Sequence, residues 1–290
     1  MPSWNIGAGA IWSSGGRICE FQYPSHGAQS CIKEVARPGQ DSAISARHSS
    51  IESNSMGAKE ILAELKAMGS PSIKKVLLNH GIREPFYGVK IGDMKKIVKR
   101  IKTDYQLALD LYDTGNYDAM YLAGLIADDA RMTRSDLTRW ASHAYCAPLA
   151  GATVSSVAAG SPHGSALALE WIESKKELVA AAGWMTLAAL VSVKPDADLQ
   201  PEKLKQSLQR VEKTIHQAPD RVRYSMNSFV IATGSYVSSL TEFAIATGER
   251  IGPVTVDMGD TDCSVPFAPD YIRKVQQRGT IGKKRKSAKC

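Results

Sequence analysis

From Met56 onward the apolar residues recur at intervals of three and four, segment after segment, and almost nowhere at intervals of two. Each such segment is a helix with one apolar stripe, and stripes of this kind are buried only by packing helix on helix. Ile61, Leu62, Leu65 and Met68 make the first stripe; Ile73, Val76 and Leu77 make the second. Met94, Ile97, Val98 and Ile101 follow, opposite Lys95, Lys96, Lys99 and Arg100. Start signals punctuate the series: Ser70-Pro71, a Thr133-x-x-Asp136 capping box, Ser161-Pro162, Pro201, Pro219 and Ser238. The stretch from Leu178 to Val193 is apolar all round, which predicts a central buried helix. Val254-Thr255-Val256 is the one strand-like triplet, too short to found a sheet. The expected class is all-α, an α-solenoid of stacked helical hairpins whose repeats have drifted beyond a visible sequence period.

Three segments differ in texture. Residues 1–55 are rich in Gly, Ser and Ala and show neither period, so they read as a disordered extension or a non-native leader ahead of a start at Met56. Residues 56–278 carry the helical pattern as one domain, and residues 279–290 are a basic tail. No apolar run reaches the roughly 18 residues of a membrane span, so no membrane partner is expected. The five cysteines are odd in number and lack zinc-like spacing, so neither a disulfide framework nor a metal site is expected, and the reading is a cytoplasmic protein. The loop acids Asp257, Asp260 and Asp262, with Cys263, lack the spacing of a calcium loop and read as turn chemistry.

The charge is informative by position. Residues 1–55 are balanced, four basic side chains against four acidic, so the net +7 belongs wholly to the helical part. A basic excess on a folded array favours a polyanion, although a lysine-rich solvated surface has the same composition.

One segment is recognisable. Tyr87-Gly-Val-Lys-Ile-Gly-Asp-Met-Lys-Lys-Ile-Val-Lys-Arg resembles the N-terminal signature of the DNA alkylation repair enzyme family, the HEAT-like-repeat DNA glycosylases, and Tyr121-Leu-Ala-Gly-Leu-Ile also fits. The resemblance covers Met56 to about Tyr236 and points to a divergent branch. It implies a C-shaped array of HEAT-like repeats whose basic concave face holds duplex DNA. It also implies excision of cationic alkylpurines, with an Asp as the anion beside the developing sugar cation and Trp and Arg lining the cleft. Carried over residue by residue, that machinery is incomplete. Tyr145 stands where the family has Trp, and Leu149 stands where it has the catalytic Asp; no Asp or Glu occurs between Leu137 and Leu169. Ala180-Ala181-Ala182 occupies the place of the cleft Arg, and a second cleft aromatic maps to Ser228 or Phe229.

The candidate DNA contacts are Lys90, Lys95, Lys96, Lys99 and Arg100 on or beside one helix, and Arg221 and Arg223 at a helix start. Lys283, Lys284, Arg285 and Lys286 in the tail complete the set. Each group has a plainer alternative: a solvated helix face, pairing with Asp220 or Glu212, or a solubilising tail. His143, Tyr145, Trp184 and Phe229 are the candidate cleft lining, although Trp184, in the all-apolar helix, reads more readily as core. No catalytic residue, metal ligand or cofactor is assigned. The expected function is non-catalytic binding of damaged, branched or distorted DNA by a monomer, associated with the nucleoid when bound. Two alternatives stay open: an active glycosylase with a substitute carboxylate such as Glu170, Glu173 or Glu177, and a helical scaffold for protein partners.

Overall fold

The computed structural model describes residues 57–259, 261 and 263–289. The reading of residues 1–55, and of Asp260 and Asp262, falls outside the described residues. Among them the chain is helical throughout, with no strand; Val254-Thr255-Val256 is loop.

Thirteen α-helices follow one another among the described residues. They are α1 (Ala58–Met68), α2 (Pro71–Asn79), α3 (Ile91–Ile101), α4 (Tyr105–Asp113), α5 (Tyr117–Ile126), α6 (Arg134–His143) and α7 (Ser155–Gly160). Then come α8 (Gly164–Trp171), α9 (Glu177–Val193), α10 (Pro201–Thr214), α11 (Asp220–Tyr236), α12 (Thr241–Ile251) and α13 (Ala268–Gln277). The start signals act as their chemistry requires. Pro71 and Pro201 open α2 and α10, where the missing N–H costs nothing. Thr133 Oγ1 accepts from the Asp136 amide while the Asp136 side chain accepts from the Thr133 amide, closing the capping box. Ser161-Pro162 acts less directly, since α8 begins at Gly164 after a turn in which Ser161 Oγ accepts from the His163 amide.

The helices pair as hairpins, α4 with α5, α8 with α9 and α11 with α12, and α9 and α11 pack most extensively of all. The apolar stretch from Leu178 to Val193 lies within α9, most of it buried, as its all-round pattern requires. Two core clusters result, one from α1 through α8 and one from α8 through α13, meeting along α7, α8 and α9.

The repeat that the sequence hides is visible in the ion pairs. Glu64–Arg100, Arg134–Glu170, Glu173–Arg210 and Glu212–Arg250 join one hairpin to the next, with partners 36, 36, 37 and 38 residues apart. A spacing that steady is one structural repeat, marked by surface side chains. The same ladder consumes two of the substitute carboxylates, because Glu170 and Glu173 pair with Arg134 and Arg210. Glu177 accepts from the Arg221 amide.

The basic tail is packed on the protein, contrary to its appearance as a free arm. Gly282 N donates to Ser235 O near the end of α11, and Arg285 N donates to Ser192 O near the end of α9. Lys284 Nζ reaches Val191 O at 2.8 Å and Asp196 at 2.7 Å. Lys289 Nζ reaches Ala127 O, just past α5, at 2.7 Å, and Asp129 at 2.7 Å. Asp129 lies directly over Gly160, the last residue of α7. The strap thus meets the carbonyl ends of three helices, α11, α9 and α5, where helix dipoles and unpaired carbonyls favour cations. Cys263 is disulfide-bonded, which the odd cysteine count did not suggest.

Candidate functional site

The Tyr87-Gly88-Val89 turn is built around a buried carboxylate. Asp118, on α5 and wholly buried, accepts from the Tyr87 amide at 2.6 Å, the Gly88 amide at 3.1 Å and the Val89 amide at 3.0 Å. Burial pushes its carboxyl above the usual range, and the three amides with Lys74 pull it back only in part. Gly88 takes φ +79° with the backbones of Ser70 and Lys74 against it, so a Cβ would meet Lys74 N at 2.7 Å. The recognisable signature is therefore a bracket: it fixes the α2–α3 loop on one side and Lys90, the N-cap of α3, on the other.

That loop forms one wall of a pocket of about 530 Å³ lined by Arg83, Glu84, Pro85, Tyr112, Met120 and Tyr145, with Asp113, Arg139 and His143 at its side. Tyr112 stacks flat on the buried Trp140, ring centroids 4.1 Å apart, and donates its hydroxyl to Trp140 O, which makes a rigid floor. The exposed Arg83 guanidinium sits 5.0 Å over the Tyr145 ring. The Tyr145 hydroxyl is buried with no hydrogen-bond partner among the described residues, and burial raises its pKa. Both carboxylates of the pocket are held: Glu84 by Lys74 at 2.6 Å, which lowers its pKa, and Asp113 by Arg139. Arg83 has no carboxylate partner among the described residues. The pocket presents an aromatic ring and an unneutralised guanidinium, a combination suited to a planar anionic ligand.

His143 and Tyr145 both line this pocket. Trp184 and Phe229 do not: both are fully buried and pack together at 5.5 Å, so these two are core, not cleft. The physical reason is that α9 is enclosed by α8 and α11, and an indole on its middle turns faces no open surface. Ser228 is half-buried and donates to Tyr224 O, so neither candidate position supplies a cleft aromatic. Leu149 is also fully buried, at the start of a π-helical turn, Leu149–Val154, that runs into α7. Leu149, which the resemblance sets in the place of the family's anion, therefore faces the core.

The basic candidates separate into two kinds. At the N-cap of α3 and along it, Lys90, Lys95, Lys96, Lys99 and Arg100 are all exposed; Lys96 pairs with Asp93 at 3.0 Å and Arg100 with Glu64. In the tail only Lys283 and Lys286 are exposed, while Lys284 and Arg285 are partly buried in the strap. Arg223 is spent inside the protein, donating to Ala218 O at 3.0 Å and Thr255 O at 2.9 Å and pairing with Asp220 at 3.0 Å. Arg221 lies against Met258 and near His80, whose pKa is lowered by burial and by that guanidinium. Arg223 and Lys284 are anchors of the fold, because their donors already have carbonyl and carboxylate acceptors.

Sequence reasoning missed Arg83 and Asp118. Arg83 stands in an aperiodic loop, and Asp118 inside an apolar helix; the one available signal was the nearness of Arg83 to the Tyr87 signature. Among the described residues no group of His, Cys, Asp and Glu could hold a metal, and no single helix is long and apolar enough to cross a membrane.

Comparison with known proteins agrees with this architecture. The family described as DNA alkylation repair enzyme matches residues 61–256. Uncharacterised proteins of Listeria innocua and Listeria monocytogenes are each 34% identical over 221 residues, which is 74% of this chain and 95% of theirs. A solved structure, described as "a new family of proteins related to the HEAT-like repeat DNA glycosylases with affinity for branched DNA structures", superposes with a TM-score of 0.76. It is 36% identical and covers 81% of this chain and 100% of its own.

Proposed function

The chain belongs to the DNA alkylation repair enzyme family, and on that premise we propose that it binds branched or otherwise distorted DNA without excising a base. One observation carries the reading. The pocket keeps an aromatic ring and a guanidinium with no carboxylate partner among the described residues, whereas Leu149, which the resemblance sets in the place of the excising carboxylate, is buried at 0% exposure. Cation and ring bind; without a free anion the sugar cation of excision has no partner, and that electrostatic contribution is usually the largest in such chemistry. The neighbour with affinity for branched DNA supports the substrate class. The exposed lysines of α3, next to the pocket's own loop, supply phosphate contacts and fix the duplex arms without reading sequence.

The test is base release. The full chain is incubated with duplex containing 7-methylguanine or 3-methyladenine, and free base is assayed against a no-protein control. The expected result is none above control. Asp113 is the pocket carboxylate nearest to a catalytic role, half-exposed beside Arg139. Release that Asp113→Asn abolishes would overturn the non-catalytic reading and name the substitute anion.

A further inference from the structure

We propose that the Arg83–Tyr145 pocket takes one unpaired nucleotide at the branch point of a DNA junction, its base on the guanidinium and its phosphate at the guanidinium edge. The inference rests on the branched-DNA reading above and deepens it by naming what a junction offers that a linear duplex does not. Size, charge and shape agree. A volume of about 530 Å³ lies inside the roughly 300–1,000 Å³ of pockets that hold small ligands. Tyr112, Met120 and Pro85 give it apolar walls. Glu84 and Asp113 are neutralised by Lys74 and Arg139, so the pocket does not repel a phosphate. Arg83 is exposed and carries Tyr145 under one face of its guanidinium. The edge N–H groups are then available for a phosphate in fork geometry. The opposite face is suited to stacking a base, and rings and guanidinium planes stack any base.

The preference for a junction follows from cost. Inside a duplex a base must first be unpaired and unstacked before it can enter a pocket, while an unpaired nucleotide at a branch has already lost those contacts. The same pocket energy is therefore spent against a penalty in one case and gained freely in the other. The bracket on Asp118 matters here, because it holds the loop bearing Arg83 against α5 and so presets the stack before DNA arrives.

The experiment uses the full chain and a three-way junction with one unpaired 2-aminopurine at its branch, beside a linear duplex of the same sequence. Binding of the wild-type chain should change the fluorescence of the branch 2-aminopurine and favour the junction. Arg83→Ala and Tyr145→Ala should each cut the junction preference about tenfold and abolish the fluorescence change. Tyr145→Phe, which keeps the ring, should retain both. Arg83 is exposed, so its variant tests the pocket even if Tyr145→Ala fails to fold. Junction preference without a fluorescence change, or a preference that survives Arg83→Ala, would overturn the pocket and leave the branched-DNA reading intact. Equal binding to junction and duplex, or no binding, would overturn both.

Discussion

Asp118 shows how much of a family signature can be scaffolding. Its carboxylate satisfies three consecutive amides that the α2–α3 turn leaves without helical partners. Asp118→Ala should destabilise the chain by about 3 kcal/mol in urea unfolding, since each orphaned buried amide costs on the order of 1 kcal/mol. Asp118→Asn, with one acceptor oxygen in place of two, should fall between. Equal stability of Asp118→Ala and wild type would show that the turn is held by something else. Leu149 makes the complementary point. Placing a carboxylate at the position the resemblance suggests, by Leu149→Asp, would put a charge among side chains with no exposure, so it should destabilise by several kcal/mol and release no alkylated base. A stable Leu149→Asp chain that excised 7-methylguanine would mean that this side chain can reach the pocket. Cys146, buried beside Tyr145 with its thiol pushed up to about 12, is a packing residue, not a nucleophile.

At the scale of elements, what the sequence disclosed and what it hid have separate causes. Helix starts at Pro71, Thr133 and Pro201 were legible because caps are local, set by residues within one turn. The role of Trp184 depended on which helices enclose α9, which no local pattern states, and the same holds for Phe229. The repeat was hidden because HEAT-like hairpins need apolar stripes of no fixed identity. It surfaced in pairs such as Glu212–Arg250, whose 38-residue separation is unreadable without the fold. The tail misled for an electrostatic reason. A run of lysines suits a phosphate backbone and a row of helix C-termini equally well, and here the second partner belongs to the chain itself. Lys289→Ala should therefore cost about 2 kcal/mol in urea unfolding by leaving the part-buried Asp129 unpaired, whereas exposed Lys286→Ala should stay within about 0.5 kcal/mol. Equal effects would show that the strap contributes nothing. On α3 the expectation inverts: Lys95→Ala and Lys99→Ala should leave stability unchanged and each reduce the salt slope of DNA affinity by about 0.9.

At the scale of the whole molecule, the helices form one stacked array with the tail strap and the pocket at different places on it. The strap closes the edge where inner helices end, near Ala127, Val191 and Ser235. The pocket lies by the start of α5 and the end of α6, where Met120 and His143 line it. Its hairpins are linked along its length by the ion pairs Arg134–Glu170, Glu173–Arg210 and Glu212–Arg250. The most direct measurement is the affinity of the full chain for a three-way junction and for a linear duplex of the same sequence, titrated across a salt series. The account predicts tighter binding of the junction at every salt concentration, with parallel, steep slopes that report shared phosphate contacts. Equal affinity for the two DNAs, or binding that ignores salt, would contradict it.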